Sequence, residues 1–114
     1  MTEPRIPEIS PAELLRAVEA GDPLQIVDVR TAAAVRGGHI DLLPPDRFVN
    51  VVGSQLIART DLDGLGLAPS LRTVAVCGHG NSSRGATEHL RSLGLEAYSL
   101  TGGMAAWMNL VAER

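Results

Sequence analysis

Apolar positions along this chain recur with two different periods, and each change of period marks an element boundary. Leu14, Leu15 and Val18 share one stripe at helical spacing. Ahead of them, Ser10-Pro11-Ala12-Glu13 joins a capping serine, a first-turn proline and a glutamate three residues after the cap. A helix is therefore expected from Ser10, stopped by Gly21 and Pro23. Leu24-Gln25-Ile26-Val27-Asp28-Val29 is short and β-branched and reads as a strand, as does Phe48-Val49-Asn50-Val51-Val52. Thr73-Val74-Ala75-Val76-Cys77 is apolar on both faces, as strands inside a parallel sheet are. The chain then turns through Gly78-His79-Gly80-Asn81 into a helix that starts at Ser82 or Ser83, runs to about Leu93 and ends at Gly94. Glu96-Ala97-Tyr98-Ser99-Leu100 follows as a fourth strand, and Gly102-Gly103 opens a last helix reaching about Ala112. The stretch from Asp61 to Ser70, with Gly64, Gly66 and Pro69, is a loop. Strands alternating with helices predict a three-layer α/β domain around a mainly parallel sheet.

Composition narrows the chemistry. The 114 residues fit one domain, spanning 1–114. Only Phe48, Tyr98 and Trp107 are aromatic, so the core is built mostly from Leu, Val, Ile and Ala. A net charge of −3 argues against a nucleic-acid or anionic-membrane surface. No apolar run approaches membrane-spanning length, and Met1-Thr2-Glu3-Pro4 lacks the basic and apolar regions of a secretory leader. A cytoplasmic protein is expected. Cys77 is the single cysteine, which excludes an internal disulfide, a Cys-x-x-Cys pair and a cysteine-based zinc site. There is no lysine among the ten basic residues, which excludes Schiff-base chemistry and a Gly-Lys-Ser/Thr phosphate loop. Codon bias is the simpler cause of that absence. His39, His79 and His89 lack metal-ligand spacing, so no metal is expected.

Ligands of open parallel sheets sit beyond the carboxyl ends of the strands, and Cys77 occupies such a position. Gly78 and Gly80 let the backbone curl and aim several N–H groups inward. The following helix adds unpaired donors and the positive end of its dipole, which would stabilise a thiolate. Arg84, in the first helical turn, adds charge. The plainer reading of a lone cysteine at the end of an apolar strand is a small buried hydrophobe.

Cys77-Gly78-His79-Gly80-Asn81-Ser82-Ser83-Arg84 resembles the active-site loop of the single-domain rhodaneses, the thiosulfate sulfurtransferases. Val27-Asp28-Val29-Arg30 is similar to that family's strand ending in Asp-Val-Arg, and Gly38-His39-Ile40 follows at the usual offset. Gly102-Gly103-Met104-Ala105-Ala106-Trp107 resembles its Gly-Gly-x-x-x-Trp signature. The likeness runs from about residue 7 to 112, the expected domain core. It implies a rhodanese-like α/β/α domain with about five strands and no cofactor. It further implies that Cys77 takes the outer sulfur of thiosulfate or a related donor as a persulfide. An external acceptor then removes that sulfur: cyanide, a small thiol or a protein thiol. Gly78, His79, Gly80, Asn81, Ser82, Ser83 and Arg84 would bind the substrate, while Asp28, Arg30 and His39 would be structural.

Two departures from the family pattern stand out. Ala34 occupies the place where relatives often carry a glutamate partner for Arg30. Asn50 follows His39 by eleven residues instead of six, an insertion at about 41–47 that reads as an enlarged surface turn. His79 is either a source of partial positive charge or a solvated loop residue, His89 reads as lying on the outer face of a helix, and Trp107 reads as core filler with its N–H bonded locally. A phosphatase would need arginine six positions after the cysteine, where this chain has Ser83; Arg84 comes one later. The remaining alternative is a non-catalytic or regulatory rhodanese-like module that binds a protein partner.

Overall fold

The computed structural model describes residues 6–113; Met1-Thr2-Glu3-Pro4 lies outside them. Five strands form one sheet: β1 (Glu8–Ile9), β2 (Leu24–Asp28), β3 (Phe48–Asn50), β4 (Arg72–Val76) and β5 (Ala97–Leu100). All pair in parallel, in the order β1-β5-β4-β2-β3. Five helices complete it: α1 (Pro11–Glu19), α2 (Ala32–Arg36), α3 (Gly53–Ile57), α4 (Ser82–Ser92) and α5 (Gly103–Ala112).

Alternation along the strands sorts the core onto two faces. Leu24, Ile26, Val74, Val76 and Leu100 pack with Leu14 and Leu15 of α1 and Met104 and Trp107 of α5. Val27, Ala75, Cys77 and Ala97 pack with Leu56 of α3 and with Ala86 and Leu90 of α4. Both central strands are thus apolar on both sides, and the three layers expected from the sequence are present. The capping box also forms: Ser10 Oγ accepts from Glu13 N at 3.1 Å, and Glu13 Oε1 accepts from Ser10 N at 3.2 Å. Gly21 leaves α1 with φ +74°.

Several boundaries differ from the sequence reading. The second expected strand stops at Asn50, because Val52 already begins α3. β1 has two residues and α2 and α3 have five each, too short for periodicity to register. β1 is still held firmly, since Ser99 N donates to Pro7 O and Thr101 N to Ile9 O, both at 2.9 Å. The 41–47 insertion ends in a single 3-10 turn, Pro45–Arg47, and its Leu43 packs on the α1–α5 side of the sheet. Trp107 is core filler at 4% exposure, but its indole N–H takes no hydrogen-bond partner among the described residues. His89 is half-buried instead of lying on an outer face, because its Nε2 reaches Arg59 O at 2.7 Å.

The loop of residues 61–70 is pinned to the sheet by one buried side chain. Gln25, 1% exposed, donates from Nε2 to Ala68 O and Thr73 Oγ1, and its Oε1 accepts from Ala68 N, each at 2.9 Å. Replacing it would leave Ala68 N without its acceptor and Thr73 Oγ1 without its donor, while Ala68 O would keep only the bond from Leu71 N at 3.2 Å. We expect Gln25→Ala to lower stability by about 2–3 kcal/mol. Denaturant unfolding checks the value, and limited proteolysis should show faster cutting between Asp61 and Ser70.

Candidate active site

The strand order reverses between β2 and β4: the chain leaves β2 outward to β3, then crosses back to β4 on the other side. A crevice opens beyond the carboxyl ends at such a point. Cys77 stands there, the first residue past β4, while Asp28 and Arg30 mark the end of β2. Buried Asp28 receives Arg30 Nε at 3.0 Å and Arg30 Nη2 at 2.8 Å, and Nη2 also donates to Gly38 O at 2.8 Å. Asp28 and Gly38 thereby supply the partners that Ala34 cannot. Asn50 Nδ2 closes the same strand end by donating to Asp28 O and Arg30 O, both at 2.9 Å.

Cys77 is 5% exposed. Gly80 N donates to Sγ at 3.0 Å, and Ser83 Oγ lies 3.3 Å from it. Burial alone pushes the thiol pKa up. The Ser83 hydroxyl and the backbone N–H groups of Ser83, Gly80 and His79 outweigh that effect, so the thiol sits below its ordinary value. Ser83 is fully buried on the inner stripe of α4 with Ala86, Thr87 and Leu90. Thr87 Oγ1 donates to Ser83 O at 2.7 Å, and Ser83 Oγ meets Ser99 Oγ at 2.7 Å.

The loop is clamped from outside by α5. Met104 N donates to Cys77 O at 2.8 Å and Ala105 N to Gly78 O at 3.0 Å. Those donors are orphan amides of the α5 amino terminus, and they draw the loop carbonyls outward while its N–H groups face the sulfur. The fit is close: a Cβ on Gly80 (φ +90°) would stand 2.8 Å from Gly102 N. On Gly103 (φ +61°) it would lie 2.7 Å from both Gly78 C and Gly80 N, and nearer still to Cys77 O.

Of the expected site residues, Cys77, Gly80 and Ser83 are brought together inside the loop. Gly78 is half-buried at its edge, and His79, Asn81, Ser82 and Arg84 are exposed around it. The Arg84 guanidinium makes no ion pair or hydrogen bond among the described residues. His39 is set apart, its ring 4.7 Å from Phe48 and its Nδ1 3.2 Å from Val35 O. Ser99 and the Gly102-Gly103 clamp join the site without being among the residues expected there from the sequence. Ser99 was detectable as a hydroxyl at an inward position of β5, two residues from inward Ala97. The clamp left no comparable trace, because a Gly-Gly pair before a helix has the same pattern whatever it touches.

The sequence profile of the rhodanese-like domain matches residues 10–110. A thiosulfate sulfurtransferase GlpE from Shewanella oneidensis is 34% identical over 100 residues, 87% of this chain and 89% of its own. A thiosulfate sulfurtransferase GlpE from Pseudomonas fluorescens (strain Pf0-1) is 40% identical over 83 residues, 72% of this chain and 68% of its own. The crystal structure of a rhodanese-related protein from Thermoplasma volcanium superposes with a TM-score of 0.73 at 26% identity, covering 91% of this chain and 92% of that one.

Two measurements test the site as built. The rate of Cys77 alkylation against pH should have its midpoint below that of the urea-unfolded chain. Because the folded pKa is the lower one, the thiolate contacts stabilise the fold above the unfolded thiol's pKa, and that contribution fades as pH falls through the folded pKa. Gly103→Ala should cost about 3 kcal/mol or more, since backbone atoms on all sides cannot give way. It should also return the alkylation midpoint toward the unfolded value.

Proposed function

The chain belongs to the rhodanese-like domain family, and from that membership we propose that it is a sulfurtransferase working through a Cys77 persulfide. The observation that carries this reading is the sulfur itself, held among inward N–H donors and one buried hydroxyl with its charged form favoured. In the first half-reaction the thiolate attacks the outer sulfur of thiosulfate. The S–S bond breaks, its electron pair leaves with sulfite, and Cys77 carries one additional sulfur as a persulfide anion. In the second half-reaction a thiophilic acceptor (cyanide, a small thiol or a protein thiol) bonds to that outer sulfur and the Cys77 thiolate returns. Atoms and electrons balance without a cofactor.

Each group has a physical role in that cycle. The loop amides receive negative charge at both stages without giving up a proton. Arg84, solvent-exposed in the first turn of α4 and engaged by no ion pair or hydrogen bond among the described residues, suits a dianion arriving at the loop mouth. Asp28 and Arg30 keep the β2 end in place and His39 supports the β2–β3 edge, so these three act as scaffold. Ser83 stands where a Cys-x5-Arg phosphatase would need a guanidinium, and it is fully buried against the sulfur. That favours a sulfur over a phosphoryl group in the loop. Since Cys77 is the chain's single cysteine, the acceptor is external. The chain is read as one domain in the cytoplasm; no helix of the described residues is long and apolar enough to cross a membrane.

Non-reducing intact-protein mass spectrometry after incubation with thiosulfate tests the proposal. The wild type should gain the mass of one sulfur, and cyanide should remove it while releasing thiocyanate. Cys77→Ser should gain nothing. A wild-type protein left unmodified by thiosulfate and other sulfane-sulfur donors would point instead to a partner-binding module.

A further inference from the structure

We propose that Ser99 is a positioning residue that turns the Ser83 hydroxyl proton toward the Cys77 sulfur. The two hydroxyls are 2.7 Å apart, Ser83 Oγ is 3.3 Å from Sγ, and both serines are fully buried. Ser99 lies on β5 beside Ala75 of β4, and the small alanine leaves room over the sheet for α4 to bring Ser83 in. Among the described residues the Ser99 hydroxyl has one hydrogen-bond partner, Ser83.

That isolation decides the direction of the chain of bonds. A buried O–H without an acceptor is costly, so the Ser99 proton goes to Ser83 Oγ. The neutral thiol donates to Ser83 Oγ; once that proton has left, the single hydroxyl proton of Ser83, with a lone pair occupied by Ser99, is available to the thiolate Sγ. A thiolate is a far better acceptor than a neutral thiol, so the arrangement favours the anion, and each bond in the chain polarises the next. Reversing it would turn a lone pair of Ser83 toward a negative sulfur and leave the buried Ser99 proton without an acceptor.

Other charges do not supply this effect. His79 of the loop and Arg84 of α4 are solvent-exposed, and Asp28 and Arg30 beyond β2 are paired with each other. Tyr98 of β5 bonds Glu96 at 2.6 Å and faces the opposite side of the sheet, as Arg72 at the start of β4 lies at its far end. Helices α3 and α5 carry no charged residue.

The catalytic consequence rests on Cys77 being the nucleophile, but the test needs no sulfur donor and can fail separately from that reading. Alkylation of Cys77 is followed against pH in four proteins: wild type, Ser99→Ala, Ser83→Ala and the double variant. Ser99→Ala should slow alkylation near neutral pH by about threefold to tenfold, the size of one net hydrogen bond, and raise the midpoint. In the Ser83→Ala background the same change should have no effect, because Ser99 acts through Ser83. A Ser99→Ala profile superimposed on the wild type, or an equal slowing with Ser83 absent, would overturn the proposal. Ser99→Thr, which keeps the hydroxyl, is the second variant and covers a Ser99→Ala chain that does not fold. Its alkylation rate should stay within about twofold of wild type, the spread of hydrogen bonds of one kind, and a folded Ser99→Thr protein shifted as far as Ser83→Ala would also overturn it.

Discussion

Every peptide unit has a donor end and an acceptor end, and the loop after Cys77 has to dispose of both within a few residues. Its donors can converge on a sulfur only if its carbonyls point away and find partners of their own. The amino terminus of α5 meets that requirement, because Met104 and Ala105 carry amides that have no partner inside the helix. Two sets of otherwise unsatisfied groups thus cancel one another, and the cradle is a by-product of that pairing. The positive φ values at Gly80, Gly102 and Gly103 follow from it, since backbone must lie against backbone for the bonds to form.

The rest of the sheet supports this arrangement by keeping polar groups where they have work. Among the described residues, buried polar side chains occur at three places: Gln25 with Thr73, Asp28 at the end of β2, and the cluster of Ser83, Thr87 and Ser99. The first closes the loop at the amino-terminal edge of the sheet, and the other two frame the crevice at its carboxyl edge. Between them the core is apolar, and its alternation leaves Cys77 no choice of face. A slip of one residue in β4 would turn the sulfur toward α1 and α5.

Much of this was legible in the chain. A mainly parallel sheet was legible in the two-faced apolar run ending at Cys77, and the strand pairs prove to be parallel throughout; α1 was legible in its capping box. The glycine-spaced turn marked the loop whose N–H groups face the sulfur, and four ordered motifs carried the family resemblance. What escaped was short or long-range. β1, α2 and α3 are too brief to develop a period, and packing holds them where propensity does not. Ser99 and Gly103 meet Cys77 and its loop only after the chain has folded back, so their adjacency has no local pattern. Arg30 shows the same limit, since its replacement partner Gly38 O is a backbone atom that any residue could provide.

The clamp on the cysteine loop also sets an order of events during synthesis. Cys77 leaves the ribosome well before residues 102–107, which must dock to shape its surroundings. Before that, the carbonyls of Cys77 and Gly78 lack the Met104 and Ala105 donors that hold the loop in shape. The surroundings of the sulfur are complete only when α5 has docked on the loop.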